Sequence, residues 1–380
     1  MENMYDVVVV GAGIFGSCTA FHCQKLGLKT LLLEQYTVGH KNGSSHGMTR
    51  IIRYAHTEKE YLPLVSDSYI QTFEMEELRN ERLWKKTGLL WVSKGEEIDK
   101  ISENLRAFKV EHEIFNGFQI NRKYTQFKFG QEWKGLLDPM GGVIFADKWL
   151  QAYQAEFKQL GGVLQDNEEV TEYKENDETG VCVYTNRGTY TAKKVIFTVG
   201  AWIGKLLPEL KFKPEPISIA VCFWEPKDKK DEKMFSDDHL PVFIAQDNDL
   251  QQFHFGLPGN DHPGTFKFCY HTGPTLDANL NHPASPSEEC IKLPAKFIEN
   301  HIPLVNPIPK IVETCKYTVS PDHHYIIGPI SEDRPNVIVG GCGSGSGFKV
   351  APAIGRVLAE LAADQDPSIE IAFFSPDRFI

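Results

Sequence analysis

The sequence predicts a two-domain α/β (α+β) chain in which an antiparallel sheet is inserted into a dinucleotide-type α/β half. Three observations predict it. An apolar strand runs into the glycine turn Gly11-Ala12-Gly13-Ile14-Phe15-Gly16, and a helical stretch follows. A second apolar strand then ends in an acid, Glu34, the order of a Rossmann-like unit. From residue 214 to 271, alternating segments with turns at Asn248, Gly259 and Gly264 read as antiparallel strands beside that half.

Tyr5–Val10 is a β-branched run with charges outside it, the pattern of a fully buried strand. In the turn that follows, Gly11 permits a tight bend, and Gly13 lets the backbone approach a pyrophosphate at the helix N-terminus. Gly16 lets helix and sheet close together. Ser17 to Leu26 has helical spacing and no proline, and Thr30–Leu33 is the second strand. Glu34 is placed to accept hydrogen bonds from a ribose. FAD and NAD share this fingerprint; its place at the N-terminus favours FAD. A glycine-rich turn in an ordinary α/β unit is the plainer alternative.

Residues 41 to 53, Lys-Asn-Gly-Ser-Ser-His-Gly-Met-Thr-Arg-Ile-Ile-Arg, read as a loop, with Thr49 placed to cap a short helix after it. The loop leaves the end of the second strand, where such sheets hold ligands. His46, Arg50 and Arg53 would there face a cofactor or an anionic substrate; a solvated loop with stray charge is the alternative.

Further on, the Thr87–Ser93 segment is strand-like, and Trp149–Leu160 is an amphipathic helix closed by Gly161-Gly162. Strands follow near Val163–Gln165, Val181–Tyr184 and Thr189–Thr198. The inserted sheet is expected from Pro214–Pro226, Val242–Gln246, Gln252–Leu257 and Thr265–His271. Lys267 and His271, four apart on one strand, share a face. The residues alone favour the wet face, because an unpaired lysine is seldom buried. Cys315 alone reads as a small buried hydrophobe on a strand, and Cys18 and Cys23 as packing residues.

The 380 residues are enough for two domains, and 41% hydrophobic with 24% charged residues is ordinary for a globular chain. A formal charge of −11 argues against a general nucleic-acid binder. No apolar run approaches the roughly 20 residues that span a bilayer, and the N-terminus lacks a basic, cleavable leader. Eight cysteines without a CxxC read as reduced thiols. An intracellular site is expected.

The chain resembles the family of monomeric sarcosine oxidase and peroxisomal sarcosine/pipecolate oxidase. The matching motifs are GAGIFG, GSSHGMTRIIRYA, TGLLWVS, VGAW, FKFCYH, CKYTVSPDHHYIIG, NVIVGG and GFKVAPAIGRVLAEL, in order over nearly the whole chain. The SSHG-TRIIR element and C-x-Y-T-x-x-P-D are the selective parts. The resemblance implies FAD bonded through the sulfur of Cys315 to the methyl group on the flavin benzene ring, with nearby cations favouring the thiolate. It places His46 and Arg50 beside the flavin, and Gly11, Gly13, Gly16, Glu34, Thr49, Gly345 and Lys349 among the cofactor-binding residues. Lys267 would promote reaction with O₂, Arg53 and Lys349 would hold a substrate carboxylate, and His271 and Tyr317 would line the amine pocket.

The implied protein is a monomer oxidising N-methyl or cyclic secondary amino acids with O₂ to an imine and hydrogen peroxide, with no nucleic-acid or membrane partner. Residues 1–85, 140–213 and 305–380 would form the FAD-binding domain, and 86–139 with 214–304 the substrate domain. A dehydrogenase using another acceptor and a non-catalytic nucleotide-binding module are the rival expectations. Peroxisomes are the family location, yet the terminal SPDRFI is not a Ser-Lys-Leu type address, so a cytoplasmic site stands beside it. Two departures bear on the substrate. Gly343 and Ser346 replace a phenylalanine and a histidine of the family motif, which opens the wall facing the flavin, and His254 stands where some relatives carry a pocket tyrosine.

Overall fold

In the computed structural model, residues 4–176, 180–279 and 286–379 are described. Strand β1 (Met4–Val10), buried from Val7 onward, lies inside an eight-stranded sheet. It pairs in parallel with β2 (Thr30–Leu33) on one side and with Thr189–Phe197 on the other. The first half of Thr189–Phe197 is held by Gly180–Thr185, antiparallel, and its second half by Val337–Gly341, parallel. Helix α1 (Ile14–Lys25) begins three residues before the helical spacing suggested, because extended Gly13 serves as its N-cap. It packs against Ala351–Ala362 so closely that a Cβ on Gly355 would lie 2.6 Å from the Cys18 backbone. Cys18 and Cys23 are fully buried in this contact region, and all eight cysteines are free thiols.

A second eight-stranded sheet runs in the order Ile311–Val319, Glu215–Trp224, Phe266–Tyr270, Gln252–Pro258, Val242–Asp247, Leu89–Ser93, Lys134–Asp138, Glu113–Asn116. Every pairing is antiparallel except Val242–Asp247 with Leu89–Ser93. Those two strands come from distant parts of the chain, so no hairpin constrains their direction. The helix Glu288–His301 covers one face, where Phe297 packs on Phe268 and His254. Side chains alternate between faces. Lys267, Phe253, Phe255, Cys315 and Tyr317 therefore look the other way, into a cavity.

A three-stranded sheet joins β3 (Thr49–Ile52) to Gly142–Phe145 and Trp84–Lys86. Thr49 thus opens a strand rather than capping a helix. The β-branched Ile51 and Ile52 suit a pleated surface, and register with Val143 and Gly142 holds them there. Among the described residues no helix is long and apolar enough to cross a membrane.

Candidate active site

A cleft opens at the carboxyl ends of β1, β2, Thr189–Phe197 and Val337–Gly341, the place where such sheets take ligands. It encloses about 1510 Å³, part of it open to solvent. Gly11 has φ +94°, and a Cβ there would lie 2.7 Å from the Thr198 carbonyl oxygen; one on Gly16 would lie 1.8 Å from that of Gly11. The Thr198 hydroxyl donates to the Val10 and Gly11 carbonyls at 2.9 and 3.0 Å, bracing the turn. Glu34 is buried at the end of β2 and accepts from the amides of Ala12 (2.9 Å) and Tyr36 (3.0 Å). This cradle without Cβ atoms, a helix N-terminus and a carboxylate at the strand end fits the dinucleotide of FAD.

A second cavity, about 980 Å³ with the space open to solvent included, adjoins the cleft, and His46, Arg50, Tyr317, Gly345 and Phe348 line both. Its walls bring together Thr49, Arg53, Lys267, His271, Cys315 and Lys349, residues spread over three hundred positions of sequence. Lys267 is 5% exposed and pairs with Asp261 at 2.8 Å. This overturns the wet-face reading from the residues alone: an acid is present, and the lysine is buried because it is paired.

Arg53 and Lys349 are both buried, and neither forms an ion pair with an acid among the described residues. Arg53 lies over the Trp91 ring at 4.7 Å and donates to the Ala55 carbonyl. Asp138 holds that backbone turn by accepting from the amides of Tyr54 (2.6 Å) and Ala55 (3.1 Å). Lys349 donates to the Ser346 carbonyl at 2.5 Å. Burial brings the Arg53 pKa down to about 10, and burial followed by the charge of Arg53 takes Lys349 well below its ordinary value. His271 falls to about 3, through burial first and then the charges of Arg53 and Lys349, so its ring is neutral. The arrangement is a pocket walled by a guanidinium and by a lysine that burial and that guanidinium press toward its neutral form.

Arg50 donates to the carbonyls of Thr49 (2.8 Å), Ser44 (2.9 Å) and His46 (2.6 Å) and stacks over Phe348 at 5.4 Å, closing the polar loop over both cavities. His46 contacts the Gly43 carbonyl at 2.6 Å, and burial lowers its pKa. Cys315 is buried on Ile311–Val319 and lines the same cavity as Arg50 and Lys267. Burial raises its thiol pKa; Arg50, Lys267 and Lys316 act in the opposite direction and are outweighed. The nearby cations favour the thiolate, as expected from the resemblance, but burial outweighs them and Cys315 rests as a thiol. Gly345, with φ +74°, lets the chain pass against Tyr317 and His271.

His254 does not reach the pocket. It is fully buried on the helix-covered face, stacked on Phe268 at 5.3 Å, and both ring nitrogens lack hydrogen-bond partners. Its strand neighbours Phe253 and Phe255 line the cavity instead, as alternation requires. At the other departure, the Ser346 hydroxyl lies 2.8 Å from the Tyr325 hydroxyl, which also donates to the Ser346 carbonyl. Sequence reasoning missed Tyr325, Asp138, His56 and Asp261. Buried His56 stacks on Tyr61 at 4.7 Å. Asp261 had a signal, an acid in a glycine-flanked turn six residues before Lys267, yet turn composition alone gives an acid no partner.

Comparison with known proteins agrees with this geometry. Residues 6–361 match the family described as FAD dependent oxidoreductase. A putative sarcosine oxidase of Caenorhabditis elegans is 57% identical over 380 residues, covering 100% of this chain and 99% of that one. Peroxisomal sarcosine oxidase of Homo sapiens is 33% identical over 396 residues, covering 100% and 97%. Among solved structures, the open form of NikD, an unusual amino acid oxidase essential for nikkomycin biosynthesis, superposes with a TM-score of 0.82 at 25% identity, covering 98% of each chain.

Proposed function

The chain belongs to the FAD dependent oxidoreductase family, among the relatives of the sarcosine oxidases, and from that premise we propose that it oxidises N-methyl or cyclic secondary amino acids with O₂. Family membership makes it a flavin-dependent oxidoreductase of CH–NH bonds. The substrates meant are of the sarcosine, pipecolate or proline type, and the products an imine, open to hydrolysis, and hydrogen peroxide.

One observation carries the reading: Arg53 and Lys349 stand buried, without an acid in ion-pair contact among the described residues, in the cavity that adjoins the dinucleotide cleft. A substrate carboxylate would pair with Arg53 and favour the protonated form of Lys349, and charge-assisted bonds to both would fix its orientation. The same cations disfavour an ammonium beside them, so the bound amine is held neutral, the form that can be oxidised. His271 and Tyr317 flank it, the histidine as a neutral ring.

The glycine turn, Glu34 and the Ser44–His46 loop would hold FAD in the cleft, with Arg50 and Gly345 at the junction of the two cavities and Thr49 and Cys315 on the wall of the second, Cys315 as the covalent anchor. When bound, FAD accepts a hydride equivalent from the substrate and passes both electrons to O₂. Lys267 offers the positive charge that favours reduction of O₂. We further propose the division into a discontinuous FAD-binding domain and a substrate domain given above, a monomeric protein, and a peroxisomal or cytoplasmic location.

Peroxide release tests the reading. Sarcosine, pipecolate or proline should each be compared with its methyl ester; activity is expected with a free acid and lost with its ester. Equal activity on acid and ester would overturn the carboxylate clamp.

A further inference from the structure

We propose that Asp261 is a positioning residue for Lys267, holding its ammonium fixed and charged beside the site of O₂ reduction. This deepens the reading above and rests on it for the part Lys267 plays in reoxidation. Three side chains form a closed ring. Lys267 Nζ lies 2.8 Å from Asp261 Oδ2 and donates to Thr49 Oγ1 at 2.7 Å, while Thr49 Oγ1 donates to the same carboxylate oxygen. The Met48 amide donates to the other oxygen at 3.2 Å. Lys267 is 5% and Thr49 1% exposed, and the Asp261 side chain 9%.

An ammonium has three N–H donors. Two are engaged here, and the third is left for the cavity that Lys267 lines. A lysine buried without a carboxylate surrenders its proton rather than its hydration. The Phe223 ring, 5.4 Å from Nζ, adds a weaker attraction. The remaining charged neighbours do not substitute for Asp261. Arg50 and Arg53 repel the ammonium, as does Lys349 whenever it is protonated, and Glu313 is turned toward His262 at 3.0 Å. Cys315, His46 and His271 face the cavity uncharged, each through burial. Burial also pushes the Asp261 carboxyl upward, but Lys267 and the Thr49 and Met48 donors bring it below its ordinary value, so the acid is ionised.

The geometry of the turn explains how an acid six residues upstream returns to the lysine. A Cβ on Gly259 would lie 1.5 Å from the Thr265 carbonyl oxygen, and the Thr265 hydroxyl donates to the His262 carbonyl at 2.7 Å. The loop is folded back on its own strand, and Asp261 sits at its crest against β3.

The test compares the unsubstituted holoenzyme with Asp261→Asn, Asp261→Glu and Lys267→Met. Lysine Cε carbons labelled with ¹³C report each ammonium directly, and the signal missing from Lys267→Met assigns the residue. In Asp261→Asn, with the carboxylate gone, the Lys267 carbon signal should move toward that of a neutral amine relative to the unsubstituted protein at the same pH. Asp261→Glu should reverse most of that movement. In parallel, enzyme reduced with dithionite is mixed with O₂ across pH 6 to 9. Reoxidation of Asp261→Asn should fall about tenfold per pH unit once Lys267 deprotonates. Lys349 shares the cavity in both proteins, so the difference between the two profiles isolates Lys267.

An unchanged Lys267 titration in Asp261→Asn, with reoxidation slowed by one factor at every pH, would overturn the inference and leave Asp261 a packing residue. Asp261→Ser serves the same test should the asparagine variant not fold. If Lys267→Met reoxidises normally, the role of Lys267 in the proposed function fails, while the carbon titration still decides whether Asp261 holds its charge.

Discussion

A Cβ placed on Gly345 would lie 2.5 Å from Cε2 of Tyr317 and 2.6 Å from Cε1 of His271, at a backbone φ of +74°. The chain between Cys342 and Gly347 thus passes against two side chains that line the second cavity. Cys342 and Ser344 also have positive φ, 47° and 43°, so the segment is strongly curved. Gly345→Ala combines a left-handed backbone penalty with overpacking, together about 2 to 5 kcal/mol. The expected outcome is a lower melting temperature and less than one flavin per chain, read from absorbance. Full flavin content with unchanged stability would show that the segment yields.

Arg53 and Lys349 should act on the substrate carboxylate. Removing either, as Arg53→Met or Lys349→Met, is expected to lower kcat/KM about 10- to 100-fold, the worth of a charge-assisted hydrogen bond. The loss should spare dithionite-reduced enzyme reacting with O₂. Lys349 also sets a pH dependence. Its pKa is lowered by burial and by Arg53, so it is charged at low pH and neutral at high pH. A bound carboxylate favours the charged form. Binding of a plain carboxylate such as propionate should therefore weaken as pH rises, and Lys349→Met should flatten that slope.

His254 faces away from the cavity with both nitrogens unpartnered, and burial lowers its pKa to about 3. A histidine neutral when folded and protonatable when unfolded makes stability fall as pH drops below the unfolded pKa of about 6.5. Its share of the slope is about 1.4 kcal/mol per pH unit between those two values. His254→Phe should remove that share, seen as a smaller loss of melting temperature between pH 6.5 and 5, with turnover unchanged. A large change in substrate preference would place His254 at the pocket after all.

Cys315 is expected to carry the flavin. After acid denaturation the yellow colour should stay with the polypeptide, and Cys315→Ala should release it while the fold is kept. Because burial raises the thiol pKa, attachment should be slower than for a free thiolate and should quicken as pH rises. Colour that washes off the unsubstituted protein would remove Cys315 as the anchor.

What could be read in the sequence divides by the range of the interactions responsible. The glycine turn, the span Thr30–Leu33 and the acid after it are set by neighbours in sequence, and the structure has them where the pattern put them. Thr49 was misread because the partner that makes it a strand, Phe145, is almost a hundred residues away. Lys267 and His254 show the same limit on a sheet. Alternation tells which side chains share a face, but the face that is wet depends on what covers it, here Glu288–His301 on one side and the cleft on the other. The motif resemblance supplies what local patterns lack, since it brings Arg53, Lys267, Cys315 and Lys349 to one site across the length of the chain. It does not extend to Asp261, which lies outside the matched motifs.

The most direct measurement is to mix the enzyme anaerobically with sarcosine, pipecolate or proline and then admit air. The account predicts that the yellow absorbance bleaches with at least one of these amino acids and returns in air, with one hydrogen peroxide formed per amine consumed. Bleaching that persists in air would contradict the oxidase reading and point to another electron acceptor. No bleaching with any of the three would contradict the proposed substrates.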